Sequence, residues 1–399
     1  TVRLPGGAVT YVTGRREIAM IGFDLTEEQR ALIDTAKRFA KERIIPVAAE
    51  ADKLSEFPKG VFEAAWETGL VNPTVPGEYG GLGLGELDNT LITEELSYGC
   101  SGISTSITAN TLAATPVILA GNDDQKKRYL GRLTAEPICA AYATSEPNAG
   151  SDVAAIQTKF VKHGDDYVLN GAKAWITNAS RAEWFVIFAT EDTAKKHKGI
   201  AAFIVDRNTP GFEIGKHEDK LGQRASDTCP LTLTDVVVKK ANLLAPPGEG
   251  FKLAMNTFNQ TRPDIGASAV GLMRRCLDEC TNYAKERKTF GVPIAQHQAI
   301  QFMLAEMAIR IEATQLMVRK AAWLLDRHEG SPIVSACSKA FGGDSAMATA
   351  IDAVQIFGGN GYTKEYPVEK LMRDAKILQI YEGTSQIQRI VIAKSILGG

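Results

Sequence analysis

The sequence lacks the marks of several large protein classes. Its longest apolar runs, such as Trp184–Ala189 and Ile200–Val205, fall well short of the roughly 18 residues that a membrane helix needs. Six cysteines (100, 139, 229, 276, 280 and 337) are spread over 399 residues, none as Cys-x-x-Cys. That excludes a disulfide scaffold and favours a reducing compartment. Five scattered histidines form no His-Glu-x-x-His, so no protein metal site is expected. Neither sign of charge dominates: 45 Lys and Arg against 47 Asp and Glu leave a net charge of −2. A nucleic-acid partner held through phosphate contacts would need a basic surface. There is no Gly-x-Ser-x-Gly, no internal repeat and no Gly-rich phosphate loop between a strand and a helix. Gly80-Gly81-x-Gly83-x-Gly85 reads as a turn-rich loop.

What is present is globular in composition, with 44% apolar and 23% charged residues and length enough for two or three domains. Residues 1–23 stand apart. Arg3, Arg15 and Arg16 occur there with no acid before Glu17, a pattern of a transit-peptide remnant or an added tail.

The hydrophobic period then divides the chain in three. From 24 to 135 it is helical. Thr26 with Gln29 forms a capping-box pattern, and apolar residues follow at helical spacing until Pro46, where the helix is expected to stop. Asn72–Gly85 reads as loop, and helices are expected over Asp88–Tyr98 and Ser104–Ala120. From 136 to 245 the pattern is strand-like. Asn170-Gly171 between apolar runs is a hairpin signal, and Trp184–Thr190, Ala201–Val205 and Leu231–Val238 are further strands. From 246 to 399 long helical periods return at Gly266–Arg287, Ala299–His328, Ile333–Phe357 and Ser385–Leu397. The expected class is α+β: an N-terminal helical domain, a central antiparallel β-barrel-like or sandwich domain, and a C-terminal helical bundle.

Four clusters invite chemistry, each with a plainer reading beside it. Tyr142–Asp152, rich in hydroxyls and small residues, is a polar turn or a donor-lined loop for an anionic or carbonyl-bearing ligand. Trp175-Ile176-Thr177 is packing, or an indole stacked on a planar ring with a hydroxyl at its edge. Arg287-Lys288-Thr289-Phe290-Gly291 is a helix end with cations in its last turn, or a diphosphate site. Glu382, after an apolar run and before Gly383, is an exposed carboxylate near a helix start, or a general base if an apolar cleft raises its pKa.

Together the clusters resemble the acyl-CoA dehydrogenase family over roughly 24–397, most closely its medium-chain, mitochondrial-type members. Tyr-x-x-Ser-Glu-Pro-x-Ala-Gly-Ser-Asp, Asn-Gly-x-Lys-x-Trp-Ile-Thr-Asn, Glu-Arg-Lys-Thr-Phe-Gly, Gln-Ile-Phe-Gly-Gly-Asn-Gly and Tyr-Glu-Gly-Thr-Ser-Gln-Ile-Gln-Arg occur in the family's order and spacing. The resemblance implies a homotetramer with FAD. It implies that Tyr142, Ser145, Ser151, Trp175 and Thr177 line the flavin, with Thr384, Ser385 and Gln386 contacting it from the C-terminal helices. Arg287, Phe290, Gln298, Gln355 and Gly359 would reach a flavin bound mainly by a neighbouring subunit. Glu382 would be the catalytic base. Ser151, Asn259, Arg262, Tyr381 and Gly383 would meet the acyl-CoA.

Members that carry the base just before this Arg have a carboxylate there, whereas this chain has Thr261, so the resemblance points to the straight-chain branch. Medium-chain members border the blind end of the acyl pocket with Gln and Glu. Ser104 and Thr108 stand there in this chain, which implies a deeper or wider pocket for chains at least of medium length. Asn259 replaces an Asp of those members, and Ser101–Asn110 holds no charge, which disfavours a dicarboxylyl substrate. The implied activity is α,β-dehydrogenation of acyl-CoA to trans-2-enoyl-CoA, with electrons passed to an electron-transfer flavoprotein. The mitochondrial matrix is the expected compartment and bacterial cytoplasm the alternative. An oxygen-using acyl-CoA oxidase and an inactive flavin-binding relative are the competing readings.

Overall fold

The structure, a computed structural model, describes residues 2–3, 9–10 and 24–398; Arg15 and Arg16 of the segment at the start of the chain lie outside them. Helix α1 (Glu27–Phe39) starts on the capping box: Thr26 Oγ1 accepts from the Gln29 amide at 3.2 Å, and Gln29 Oε1 accepts from the Thr26 amide at 3.1 Å. Pro46 does not end this helix. A π-helical turn over Ala40–Ile44 inserts before it, so Pro46 falls in the first turn of α2 (Ile45–Leu54), where its missing N–H costs nothing. Helices α3 (Val61–Glu67), α4 (Glu86–Gly99), α5 (Ser101–Ala120) and α6 (Asp123–Ala135) complete the N-terminal unit. By length and composition α5 could cross a membrane, yet most of it is buried against α4 and the sheet.

The middle unit holds β1 (Cys139–Ala143), β2 (Lys159–His163), β3 (Asp166–Thr177), β4 (Ala182–Thr190), β5 (Ile200–Asp206), β6 (Phe212–Ile214), β7 (Thr228–Val238) and β8 (Leu243–Ala245). They form one sheet in the order β8-β5-β4-β2-β3-β7-β6, with β1 beside β4. The sheet is mixed rather than purely antiparallel, because β1 and β2 both run parallel to β4. β4 and β5 are buried along nearly their whole length, as sheet centres covered on both faces are.

Asn170-Gly171 is not a hairpin turn. β3 runs straight through it, and the tight turn falls at Gly164-Asp165 instead. Gly171, at φ 151°, lies where β3 shifts register against β7, and an added Cβ would sit 2.6 Å from the Thr158 backbone. The Asn170 side chain exchanges two hydrogen bonds with Asp235 across that irregularity. The Asn-Gly signal therefore marks a bulge with close backbone approach.

The C-terminal unit is a bundle of α7 (Gly250–Glu286), α8 (Gln298–Asp326), α9 (Pro332–Phe357), α10 (Val368–Ile377) and α11 (Ser385–Leu397). α7 starts well before the sequence-based boundary and carries Pro263 in its interior. It packs against α4, α5, α8 and α9 and so joins both helical units.

Candidate active site

Glu382 sits in the short link between α10 and α11. Its own φ is 52° and that of Gly383 is 87°, so two successive residues occupy the left-handed region. For a non-glycine residue such a conformation costs of order 1–3 kcal/mol and persists only when neighbours over-determine it. They do. Lys339 Nζ, from α9, donates to the Gly383 carbonyl at 2.6 Å, and Gln388 Nε2 donates to the carbonyls of Glu382 and Gly383 at 3.0 and 2.9 Å. Thr384 then caps α11 through its side chain.

The clamp aims the Glu382 carboxyl into a cavity of about 750 Å³. The residue is half-buried and lines the cavity wall. Burial raises its pKa above the ordinary carboxyl range, against a hydrogen bond from Thr261 and the nearby charges of Arg262 and Lys339. Thr261 Oγ1 donates to Glu382 Oε2 at 2.7 Å. The exposed-carboxylate alternative for Glu382 is thereby set aside.

One wall of the cavity comes from the sheet: Tyr142 on β1, Ser145 and Ser151 on the loop after it, and Trp175 and Thr177 at the end of β3. Trp175 is 61% exposed, with φ at 63°, so it is a presented surface and not barrel packing. The Tyr142 and Thr144 hydroxyls there are buried and have no partner among the described residues. A flat polar-edged ring against Trp175, able to meet those hydroxyls, fits this wall. Behind it Lys173, wholly buried, reaches Glu146 Oε1 at 2.7 Å and the Thr144 carbonyl at 3.2 Å. Glu146 in turn accepts the Thr158 amide at 3.0 Å, which fixes the loop that presents Ser145 and Ser151.

The opposite wall is helical. Arg262, Tyr381, Gly383, Thr384 and Thr108 all line the cavity. Ser104 does not reach it: its hydroxyl turns to Ser97 at 2.9 Å, and Thr105 lines the wall beside Thr108. Asn259 also stays off the wall, where its Oδ1 accepts from Arg262 Nη1 at 2.7 Å and orients that guanidinium. Gln386 is exposed on α11 and faces away from the cavity.

Arg287, Phe290, Gln298, Gln355 and Gly359 line no part of the cavity. Arg287 ends α7, roughly 37 Å along that helix from Arg262. Phe290 is 96% exposed there, and Gln355 and Gly359 are exposed as well.

The sequence reading did not single out Lys339, Gln388 or Lys173. Lys339 and Lys173 lie in buried elements, and a lysine among small and apolar residues was the signal available. Among the described residues His217, Asp227 and Cys229 also come together. Burial pushes the Cys229 thiol up to about 12, and it donates to Asp227.

Three family models match in succession: acyl-CoA dehydrogenase N-terminal domain over 26–137, middle domain over 141–236 and C-terminal domain over 248–397. The chain is 48% identical over 381 residues to a probable medium-chain specific acyl-CoA dehydrogenase 2, mitochondrial, of Caenorhabditis briggsae, covering 95% of this chain and 92% of that one. Butyryl-CoA dehydrogenase from Megasphaera elsdenii superposes with a TM-score of 0.92 at 37% identity, over 94% of this chain and all (100%) of that one. One chain of a structure described as the electron transferring flavoprotein of Acidaminococcus fermentans, toward a mechanism of flavin-based electron bifurcation, superposes with a TM-score of 0.92 at 42% identity, over 95% of this chain and 100% of that one. With the fold, the three domain matches and near full-length identity in agreement, the chain belongs to the acyl-CoA dehydrogenase family, oxidoreductases that act on acyl-CoA.

Proposed function

We infer that this chain is an FAD-dependent dehydrogenase of straight-chain acyl-CoA, medium-chain or somewhat longer, that forms trans-2-enoyl-CoA and delivers electrons to an electron-transfer flavoprotein. The observation that carries the reading is Glu382: a carboxyl of raised pKa, clamped in a left-handed turn and facing an indole-bearing wall across the cavity.

A thioester α-hydrogen is weakly acidic, so its removal needs a positioned base of raised pKa. Glu382 takes that proton. The Thr261 hydroxyl and the charges of Arg262 and Lys339 oppose that rise and favour the ionised form. The polar sheet wall and the helical wall hold the acyl chain between them, which converts binding energy into alignment. FAD, when bound against Trp175, Thr177, Tyr142 and Ser145, supplies the acceptor for the β-hydrogen and its electron pair. Arg287, Phe290, Gln298, Gln355 and Gly359, remote from this cavity and exposed, are suited to a second copy's flavin. That supports a homotetramer, as do exposed apolar side chains on the C-terminal helices such as Phe302, Ile309 and Ile390. The nematode relative, described as mitochondrial, supports the mitochondrial matrix, with bacterial cytoplasm as the alternative.

The test is anaerobic titration of the yellow holoenzyme with octanoyl-CoA. Bleaching is expected, and Glu382→Gln should keep flavin and ligand binding while losing reduction by about a thousandfold or more. Normal bleaching by Glu382→Gln would overturn the assignment of the base. Hydrogen peroxide release on turnover in air would favour the oxidase.

A further inference from the structure

Where α4 crosses α7 in the interior, apolar packing is the ordinary solution. This crossing is polar. Glu86, Asn89, Thr93 and Ser97 follow one another at intervals of three, four and four residues, which stacks them on one side of α4. Asn89 and Thr93 are each 1% exposed. From α7, Asp264 and Ser268 meet this stripe. Asn89 Nδ2 donates to both Asp264 carboxyl oxygens at 2.9 Å, and the Glu86 carboxyl stands close enough to Asp264 for their charges to oppose each other. Ser97 Oγ lies 2.9 Å from the hydroxyls of Ser104 and Ser268.

Thr93, Asp264 and Ser268 also line the cavity that holds Glu382. Asp264 stands three residues past Thr261, about 4.5 Å along the helix, so the polar wall begins one turn beyond the base's partner and continues to Ser268. Three buried atoms of the stripe have no partner among the described residues: Glu86 Oε1, Asn89 Oδ1 and Thr93 Oγ1. Unmade hydrogen bonds of this kind are costly, and a plain alkyl chain against the wall would leave the Thr93 hydroxyl unmatched.

The charge state of the wall follows from its neighbours. Burial holds the Asp264 carboxyl well above its ordinary range, and Glu86 and Glu382 push the same way. Burial likewise pushes Glu86 up to about 8, with Asp326 at the end of α8 and Glu382 adding to the rise. Both shifts favour the protonated carboxyl, a group that can donate as well as accept a hydrogen bond.

We propose that this wall recognises a hydroxyl on the acyl chain, a few carbons beyond the reacting pair, so that the preferred substrates are hydroxylated acyl-CoA thioesters. The proposal rests on the dehydrogenase reading above and narrows its substrate. A carboxylate at the same place is disfavoured as well, since it would lose its hydration with no cation on the stripe to pair with.

The experiment compares octanoyl-CoA with its 5-, 6-, 7- and 8-hydroxy derivatives on the FAD-loaded holoenzyme, by kcat/KM and by calorimetric affinity for the Glu382→Gln holoenzyme. At least one hydroxy isomer is expected to exceed octanoyl-CoA by about tenfold or more in both readings. Asp264→Val should reverse the order, and Asp264→Asn, which keeps the shape, should reduce the preference without reversing it. Preference of the wild-type enzyme for octanoyl-CoA over all four isomers would overturn the inference and leave the dehydrogenase reading standing, the stripe then being served by internal water. Failure of every thioester to bleach the flavin or to bind would overturn both.

Discussion

Thr261 Oγ1 lies 2.7 Å from Glu382 Oε2, although 121 positions separate the two residues in the chain. The same hydroxyl lies 3.2 Å from the Thr257 carbonyl, one turn back on α7, so its hydrogen has two acceptors and the shorter contact is to the carboxyl. A hydrogen bond to the ionised form lowers a carboxyl pKa. Proton abstraction needs that ionised form, so kcat/KM should fall as pH drops through the raised pKa of Glu382. Thr261→Val removes the donor at nearly constant volume. Its acid limb should move to higher pH, with kcat/KM down several-fold at neutral pH and little change well above the limb. A pH–rate profile measured with one thioester checks this, and an unmoved limb would contradict it.

Lys339 acts on the same carboxyl from the other side. Burial lowers its pKa to about 8, against the nearby Glu382 charge, and its ammonium donates to the Gly383 carbonyl. Lys339→Met leaves that carbonyl with its bond from Gln388. It also deletes a buried cation that has no carboxylate in direct contact, so no counter-ion is stranded inside the protein. The melting temperature should therefore change little while the acid limb moves up and kcat falls about tenfold. Loss of stability together with activity would assign Lys339 a structural role only.

Gly383 has φ at 87°, and a Cβ there would stand 2.6 Å from Gln388 Nε2. Gly383→Ala should cost about 1–3 kcal/mol in unfolding free energy through strain. It should cost more in catalysis, about a hundredfold in kcat, because a displacement of about 1 Å at the base is enough for that. Denaturant unfolding and steady-state rates on the same sample separate the two effects.

Long periodic elements could be read from the sequence. The last helix, Ser385–Leu397, has the expected ends, and the capping box of Thr26 and Gln29 forms as the pattern requires. The failures are tertiary. Asn170-Gly171 has turn chemistry, but Asp235 and Thr158 from other segments fix it as a bulge inside a strand. Pro46 has breaker chemistry, yet a π turn moves it to a helix start. The motifs located the cavity walls through Tyr142, Trp175, Thr177 and Glu382, since each motif is local. They could not rank Ser104 against Thr105, because one residue on α5 decides which side chain turns to Ser97 and which to the cavity. Nor could they pair Glu86 with Asp264, which are brought together only by the crossing of α4 and α7.

The buried pair of Lys173 and Glu146 joins stability to the cofactor wall. Burial alone would raise the Glu146 pKa, but Lys173 and the bonds from Thr158 and Gln157 hold it below the ordinary value. Lys173→Met would leave a carboxylate inside the protein without its cation, a change of about 3–5 kcal/mol in typical cases. Glu146 would regain neutrality by protonation, and the amide of Thr158 would lose a charged acceptor. The loop that carries Ser145 and Ser151 should then loosen, so flavin should dissociate more readily. The double variant Lys173→Met, Glu146→Gln removes both charges and should recover part of the stability, because no unpaired ion remains. Unfolding curves and flavin release on dilution, measured for the two variants beside the parent, distinguish this from simple core damage. If the double variant is no more stable than the single one, the cost lies in packing around the Lys173 stem and not in the stranded charge.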